Sequence, residues 1–406
     1  MAGLEDITPS PADRSAAPAS PSAIGIAPRF EDVRRWMFDR ALPLWSTTGR
    51  DGEWGFTEHL TLEGAPAQVD YKRLRVQARQ IYVYSHASLL GYAPGLADAE
   101  SGWTFMKQHG WLETGGWARR LGRQGGVVDA TIDLYDQAFA LFAIGWWVRA
   151  SGDTSALTWA DRTLEAIDAR LGRPDGRGWH AEAPAPAEAV QNPHMHMLEA
   201  LLALYEATGA ERYAVRALKV ADLLRDVFFD AKTSTLAEYY DQDWRRMPGV
   251  RGRIIEPGHQ FEWAWILRHA TRLTGVDFAD TAHGLFAFAE AHGVDRATGL
   301  TFDAVLDDGS PHDLRRRSWP QTEALKAHLA EFEFGGRPLD GRIAQITANL
   351  LDRYLDRPLP GTWYDHLDER GGLVTDKIPA STFYHVFLAF SELLRLEPQL
   401  ALAAEA

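Results

Sequence analysis

The sequence predicts an all-α protein folded as an (α/α)6 barrel, with six inner and six outer helices and short β-hairpins at one end. Three observations carry this. From Phe30 onward apolar residues recur at helical spacing. The helical segments alternate between an amphipathic class and a class apolar almost all round, the mark of a buried helix. The buried class returns about every sixty residues, usually behind a short aromatic segment bounded by Gly, which is a repeat signature.

In chain order, 29–44 reads as an amphipathic helix and 70–91 as the first buried one, through Tyr71, Leu74, Ala78, Ile81, Tyr82 and Ser85. A short helix follows over 95–109. The segment 132–150 contains the run Ala138-Phe139-Ala140-Leu141-Phe142-Ala143-Ile144 and is buried. Amphipathic 155–171 precedes apolar 192–208. Amphipathic 211–229 precedes aromatic 257–274. Amphipathic 278–292 precedes 319–334, and 339–355 precedes 380–394. The buried segments start near Asp70, Ile132, Asn192, Pro257, Trp319 and Ala380, at spacings of 62, 60, 65, 62 and 61 residues. The strand-like connectors are Glu53-Trp54-Gly55-Phe56, Gly178-Trp179-His180, Leu236-Ala237-Glu238-Tyr239-Tyr240, Gly299-Leu300-Thr301-Phe302 and Gly361-Thr362-Trp363-Tyr364. The second period offers Gly125-Gly126-Val127-Val128, a poorer fit. An open solenoid is the structural alternative, but it needs polar caps on its end repeats. The last repeat carries His385 inside an aromatic run, which favours closure.

Residues 1–28, rich in Ala, Pro and Ser, lack an apolar stretch of signal-peptide type and read as a disordered tail. The rest, 29–400, is expected to be one barrel domain, cytoplasmic, monomeric or homodimeric. A net charge of -14 argues against nucleic acid and anionic membrane as partners. No apolar run is long enough to span a bilayer. The absence of Cys removes disulfides, thiolate nucleophiles and Cys-based metal sites. Fifteen Trp and twelve Tyr in an acidic chain suit a carbohydrate ligand, whose pyranose faces stack on rings.

Unusual polar residues gather in the first turns of the buried segments. They are Tyr135 and Asp136; Asn192, His194, His196 and Glu199; His259 and Glu262; Trp319, Gln321 and Glu323; and Phe383, Tyr384 and His385, with Arg79 deeper in its helix. A closed barrel brings six helix N-termini to one mildly electropositive funnel. His259 alone is as readily a capping or core residue, and so is His385; the pair, on different inner helices, points to acid–base chemistry. His196 shares a helix face with Asn192 and Glu199, whereas His194 points elsewhere. The remaining nine histidines read as surface or filler. Two His-x-x-Glu pairs, His196/Glu199 and His259/Glu262, keep a Zn, Mn or Fe site open as an alternative. The surrounding Arg, Asn and Trp suit a sugar better, so neither metal nor cofactor is expected.

At 75–85, 192–200, 256–265, 319–324 and Tyr384-His385 the chain resembles the N-acylglucosamine 2-epimerase superfamily. That group includes cellobiose 2-epimerases, mannose isomerases and sulfoquinovose-type aldose–ketose isomerases. The resemblance runs from about Arg29 to Leu394 and implies the same barrel. It implies His259 and His385 as catalytic and Arg79, Tyr135, Asn192, His196, Glu262 and Trp319 as sugar-contacting. Phe383 stands where cellobiose epimerases tend to carry Trp, which leans toward the monosaccharide isomerases. The implied reaction interconverts an aldose and a ketose, D-mannose and D-fructose, through a cis-enediol. His385 would take the C2 proton and His259 act as partner acid, oriented by Glu262, while Arg79 and His196 steady O1 and O2 and Trp319 stacks on the ring. A 2-epimerase is the alternative, and a metal-dependent or glycoside-cleaving enzyme on the same barrel is the rival of another class.

Overall fold

The six segments without a polar face become inner helices, because only there is every side covered. The computed structural model describes residues 27–404. The outer helices are α1 (Ala27–Arg34, running on through Arg35–Ala41 into Leu42–Thr47), α3 (Gly95–His109), α5 (Leu157–Leu171), α7 (Glu211–Leu223), α9 (Ala279–His292) and α11 (Asp340–Asn349). The inner helices are α2 (Leu74–Leu89), α4 (Leu134–Ser151), α6 (Asn192–Thr208), α8 (Pro257–Thr274), α10 (Ser318–Gly335) and α12 (Phe383–Arg395). A last short helix, α13 (Glu397–Ala404), was not expected and carries the domain past residue 400. Each inner helix packs on the next, and α12 packs on α2, so the barrel closes. The expected tail lies, up to residue 26, outside the described residues, while Ala27 and Pro28 already belong to α1. No helix among the described residues is long and apolar enough to cross a membrane.

Closure is repeated in the loops. The strand before each inner helix pairs antiparallel with a strand of the next repeat: Tyr71 opposite Gly122, Ile132 opposite Ala183, Val190 opposite Tyr239, Ile255 opposite Val305 and Arg316 opposite Leu367. The sixth, with Ile378 opposite Leu60, returns to the first repeat. This collar explains why α2 and α4 begin later than their apolar pattern: Tyr71–Arg73 and Ile132–Asp133 are spent on pairing.

A second device sets helix register. In four repeats the inner helix places a Gln whose buried side-chain amide accepts from the N–H and donates to the C=O of one hairpin residue. Gln77 does so with Phe56 (2.8 and 2.9 Å), Gln137 with Trp117 (2.9 and 2.8 Å), Gln260 with Leu236 (3.4 and 3.0 Å) and Gln321 with Thr301 (2.8 and 2.8 Å). In α6 the task falls to His194, whose Nε2 accepts from Trp179 N–H at 3.1 Å. In α12 Phe383 stacks on Trp363, centroids 5.7 Å apart. The second repeat's hairpin is therefore Trp111–Trp117, joined by a bridge between those residues, and not Gly125-Gly126-Val127-Val128. Phe383 is buried against Trp36, Trp45 and Trp363, so it forms no part of the funnel and its identity says nothing about sugar size.

Candidate active site

Counting from the clamp residues puts the odd side chains in two layers at the N-terminal mouth. Two positions before the clamp come Arg75, Tyr135, Asn192, Gly258, Trp319 and Ser381; two after it come Arg79, Phe139, His196, Glu262, Glu323 and His385. Arg79 is thus in register with His385 and is no exception. Gly258 is required: a Cβ there would stand 2.6 Å from the Trp319 ring. At this mouth lies a cavity of about 430 Å3, lined by all eight expected site residues: Arg79, Tyr135, Asn192, His196, His259, Glu262, Trp319 and His385.

The two histidines flank Trp319, with ring centroids 4.9 Å (His259) and 5.7 Å (His385) from it. Their environments differ in sign. His385 donates from Nδ1 to Glu323 at 2.8 Å, which leaves Nε2 unprotonated. Burial, with Arg79 and Lys326 nearby, holds its pKa well below the usual value, so the ring is neutral. His259 is equally buried, yet Glu238 at 2.9 Å and Glu256 at 3.6 Å outweigh desolvation and raise its pKa to about 9. The carboxylate that orients His259 is therefore Glu238, supplied by the hairpin, and not Glu262. Glu262 projects one turn further along α8, toward the barrel axis, where both its oxygens are buried without a hydrogen-bond partner. Burial and the neighbouring Glu323 push its carboxyl pKa well above the usual range. That shift favours the protonated form.

His196 hydrogen-bonds Glu199 through Nδ1 at 3.1 Å, and burial lowers its pKa to about 4. Tyr384 donates to the same carboxylate at 2.6 Å. Arg79 donates to Tyr135 Oη at 2.6 Å and to Ser381 O at 3.1 Å, lies over the Phe139 ring at 4.2 Å, and has no carboxylate partner among the described residues. It is a buried cation free to meet developing negative charge. Asn192 keeps a buried Oδ1 without a donor. At the rim, Arg73 is tied to Glu58 at 2.7 Å and Arg317 to Glu256 and Asp303 at 3.2 Å each.

His196, Glu199 and Glu262 approach metal-ligand spacing, as do Glu262, Glu323 and His385. These groupings replace the expected His259/Glu262 pairing, because His259 faces Glu238. Lys326, fully buried, lies 2.6 Å from Glu323 and 4.0 Å from Glu262, which supplies a cation to the cluster and makes it a poor divalent-ion site. Glu262 lines the cavity and Glu323 does not, with ligand atoms of the two within 4.8 Å, so they do not straddle a sugar bond in it as a bond-cleaving pair must. Of the nine discounted histidines, His328 is core, His86 is partly buried against Trp146 at the opposite mouth, and His366 bonds Asp303 at 2.7 Å behind Arg317. Glu238, Lys326 and Arg317 went unread in the sequence. Glu238 sat inside a hairpin motif read only for its strand, and Lys326 three residues after Glu323 was the available signal for the buried ion pair.

Comparison with known proteins gives the family and the fold. The sequence model of the N-acylglucosamine 2-epimerase (GlcNAc 2-epimerase) family matches residues 55–389. A mannose-6-phosphate isomerase of Rhizobium meliloti (strain 1021) is 37% identical over 372 residues, covering 89% of this chain and 96% of that protein. A cellobiose 2-epimerase of Ruminococcus albus is 24% identical, covering 83% and 90%. The crystal structure of a D-mannose isomerase superposes with a TM-score of 0.80 at 22% identity, covering 94% of this chain and all of that one.

Proposed function

The chain belongs to the N-acylglucosamine 2-epimerase family of sugar isomerases and epimerases, and we propose that it is an aldose–ketose isomerase converting D-mannose to D-fructose. The observation that carries this is the pairing of a neutral His385 with a protonated His259 across one cavity. The open-chain aldose has a C2 proton acidified by its C1 carbonyl. His385 Nε2 takes that proton, the electrons move to O1, and His259 hydrogen-bonds or protonates the resulting oxyanion. The proton held by His385 then returns to C1 while O2 gives its proton to His259, which restores the one that went to O1, and the product is the ketose. Arg79 and His196 hold O1 and O2, Glu262 donates to a sugar hydroxyl, Tyr135 and Asn192 take further hydroxyls, and Trp319 covers the ring face. Lys326 among the carboxylates argues against a metal ion at this site. Arg73 and Arg317 at the rim are already committed to carboxylates, whereas Lys377, which also lines the cavity with no carboxylate among the described residues nearer than 4.0 Å, is the rim cation open to a phosphate.

Acid–base groups on both sides of Trp319 also support 2-epimerisation, in which the proton returns to C2 from the opposite face. Incubation with mannose in heavy water, read by NMR, separates the two. Fructose, with or without deuterium at C1, supports isomerisation, glucose deuterated at C2 the epimerase, and no change in mannose or, in a parallel incubation, mannose 6-phosphate sinks both. His385→Asn is expected to slow C2 exchange by about 10²–10⁴-fold; retained exchange overturns its role.

A further inference from the structure

The floor of the cavity holds more buried charge than catalysis at C2 needs. Glu199, Glu262 and Glu323 are each 5% exposed or less, and a single ammonium, Lys326, stands among them fully buried. Lys326 Nζ lies 2.6 Å from Glu323, 4.0 Å from Glu262 and 4.1 Å from the centroid of the Trp265 ring. One cation does not balance three carboxylates at low dielectric, so the cluster retains a proton. Hydrogen bonding says where. Glu199 accepts from Tyr384 and contacts His196, and Glu323 accepts from His385 and sits against Lys326. Glu262 accepts from none.

We propose that Lys326 is a positioning residue of the reaction: its ammonium holds Glu323 as the carboxylate that fixes the Nδ1–H tautomer of His385, and leaves the cluster's proton on Glu262. The proposal rests on the reading of His385 as the C2 base. A base must present a lone pair at Nε2, which requires the proton on Nδ1, which requires a charged acceptor beside it. Burial raises the Glu323 carboxyl above its usual range, and Lys326 at 2.6 Å opposes that rise, which at Glu262, 4.0 Å from the ammonium, is left larger. The charged and titratable groups that face Lys326 are Glu323 on its own helix, Glu262 from α8, Glu199 from α6, and Tyr384 and His385 from α12.

The test is Lys326→Met in the full chain, close to isosteric and uncharged. Without sugar, infrared difference spectra are expected to show one further protonated buried carboxyl, and nitrogen NMR a mixture of His385 tautomers in place of one. With mannose, kcat is expected to fall about 10–100-fold, as for partners that orient a reacting group, with KM changed less than about threefold. The acid limb of the kcat profile is expected to move to higher pH, since Glu323 then holds its proton to higher pH. A side chain that only fills space would move none of these, and an unchanged carboxyl count and tautomer overturns the proposal. In the Glu323→Gln background the Lys326 substitution should cost little more, because both act through one carboxylate. A full additional loss also overturns it. Should Lys326→Met not fold, the double variant, which removes both charges together, is compared with Glu323→Gln alone on the same criterion. The sugar-free spectra judge Lys326 by itself, whereas failure of the wild-type protein to turn over any aldose sinks only the functional reading.

Discussion

His259 and His385 are the same residue type at similar burial, and their partners set them apart. Each has a carboxylate at 2.8–2.9 Å from Nδ1. His259 has a second, Glu256, and no nearby cation comparable to the Arg79 and Lys326 that crowd His385. If a protonated His259 is required, the rate should stay level through neutral pH and fall on an alkaline limb near pH 9. Glu238→Gln keeps the shape and removes the charge that raises the pKa. The alkaline limb of kcat/KM should then move to lower pH by about one pH unit or more. An unmoved limb would place the titrating group elsewhere. The same shift bears on stability. The folded-state pKa is raised, so the stabilisation is fully present below the unfolded value of about 6.5 and is lost as pH climbs through about 9. Stability measured from pH 6 to 10 should therefore decline more steeply in the wild type than in the variant.

At the scale of elements, the hairpin clamp locks each inner helix to the loop before it, so the two site layers depend on it for register. Gln137 is the cleanest to test, because it is fully buried and does not line the cavity. Gln137→Ala leaves the N–H and C=O of Trp117 unpaired and should destabilise the protein by about 2–4 kcal/mol in urea unfolding. A loss below 1 kcal/mol would mean the hairpin finds other partners. The clamp also explains what the sequence displayed and what it hid. Alternation of apolar faces exposed six helix pairs, since burial on all sides has a compositional signature. Helix ends at Asn192, Pro257 and His109 were legible from Pro and Gly punctuation. The start of α2 was not, because Tyr71 falls at helical spacing with Leu74 and Ala78 and the strand's pairing partners stand some fifty residues away. Within the site, His196, Glu199 and Asn192 were legible as one helix face, since that relation is local. The link from His259 to Glu238 crosses from a helix to a hairpin, and the periodicity of one element does not encode it.

At the scale of the molecule, everything depends on the ring being closed, and the seam between the first and last repeats closes it. Trp45 of α1 stacks on Trp363 at 4.9 Å and 17°, donates from Nε1 to Gly361 O at 3.3 Å, and packs with Phe383 at the root of α12. Trp36 adds edge contacts to Phe383 and Phe390. The opposite mouth is closed differently. Arg149, Glu206, Arg272, Glu333 and Arg395 alternate in sign on five successive inner helices, with pairs at 3.3 Å (Arg149–Glu206), 3.0 Å (Arg272–Glu206) and 2.6 Å (Arg395–Glu333). These side chains are partly exposed, so each pair contributes under about 1 kcal/mol and weakens in salt. The aromatic seam should dominate. Trp45→Ala removes a fully buried ring and is expected to cost about 3–5 kcal/mol, against less than about 1 kcal/mol for Glu206→Gln. The form of the transition is the sharper test. An open stack of repeats would let its terminal helix fray alone, and the loss of a seam residue would leave the central repeats and their funnel intact. In a closed ring α1 supports α12, which carries His385. Circular dichroism and sugar turnover should therefore be lost together, in one transition displaced to lower denaturant. Activity that outlasts a partial loss of helix in Trp45→Ala would mean that the seam is a contact between neighbours and not the closure on which the site depends.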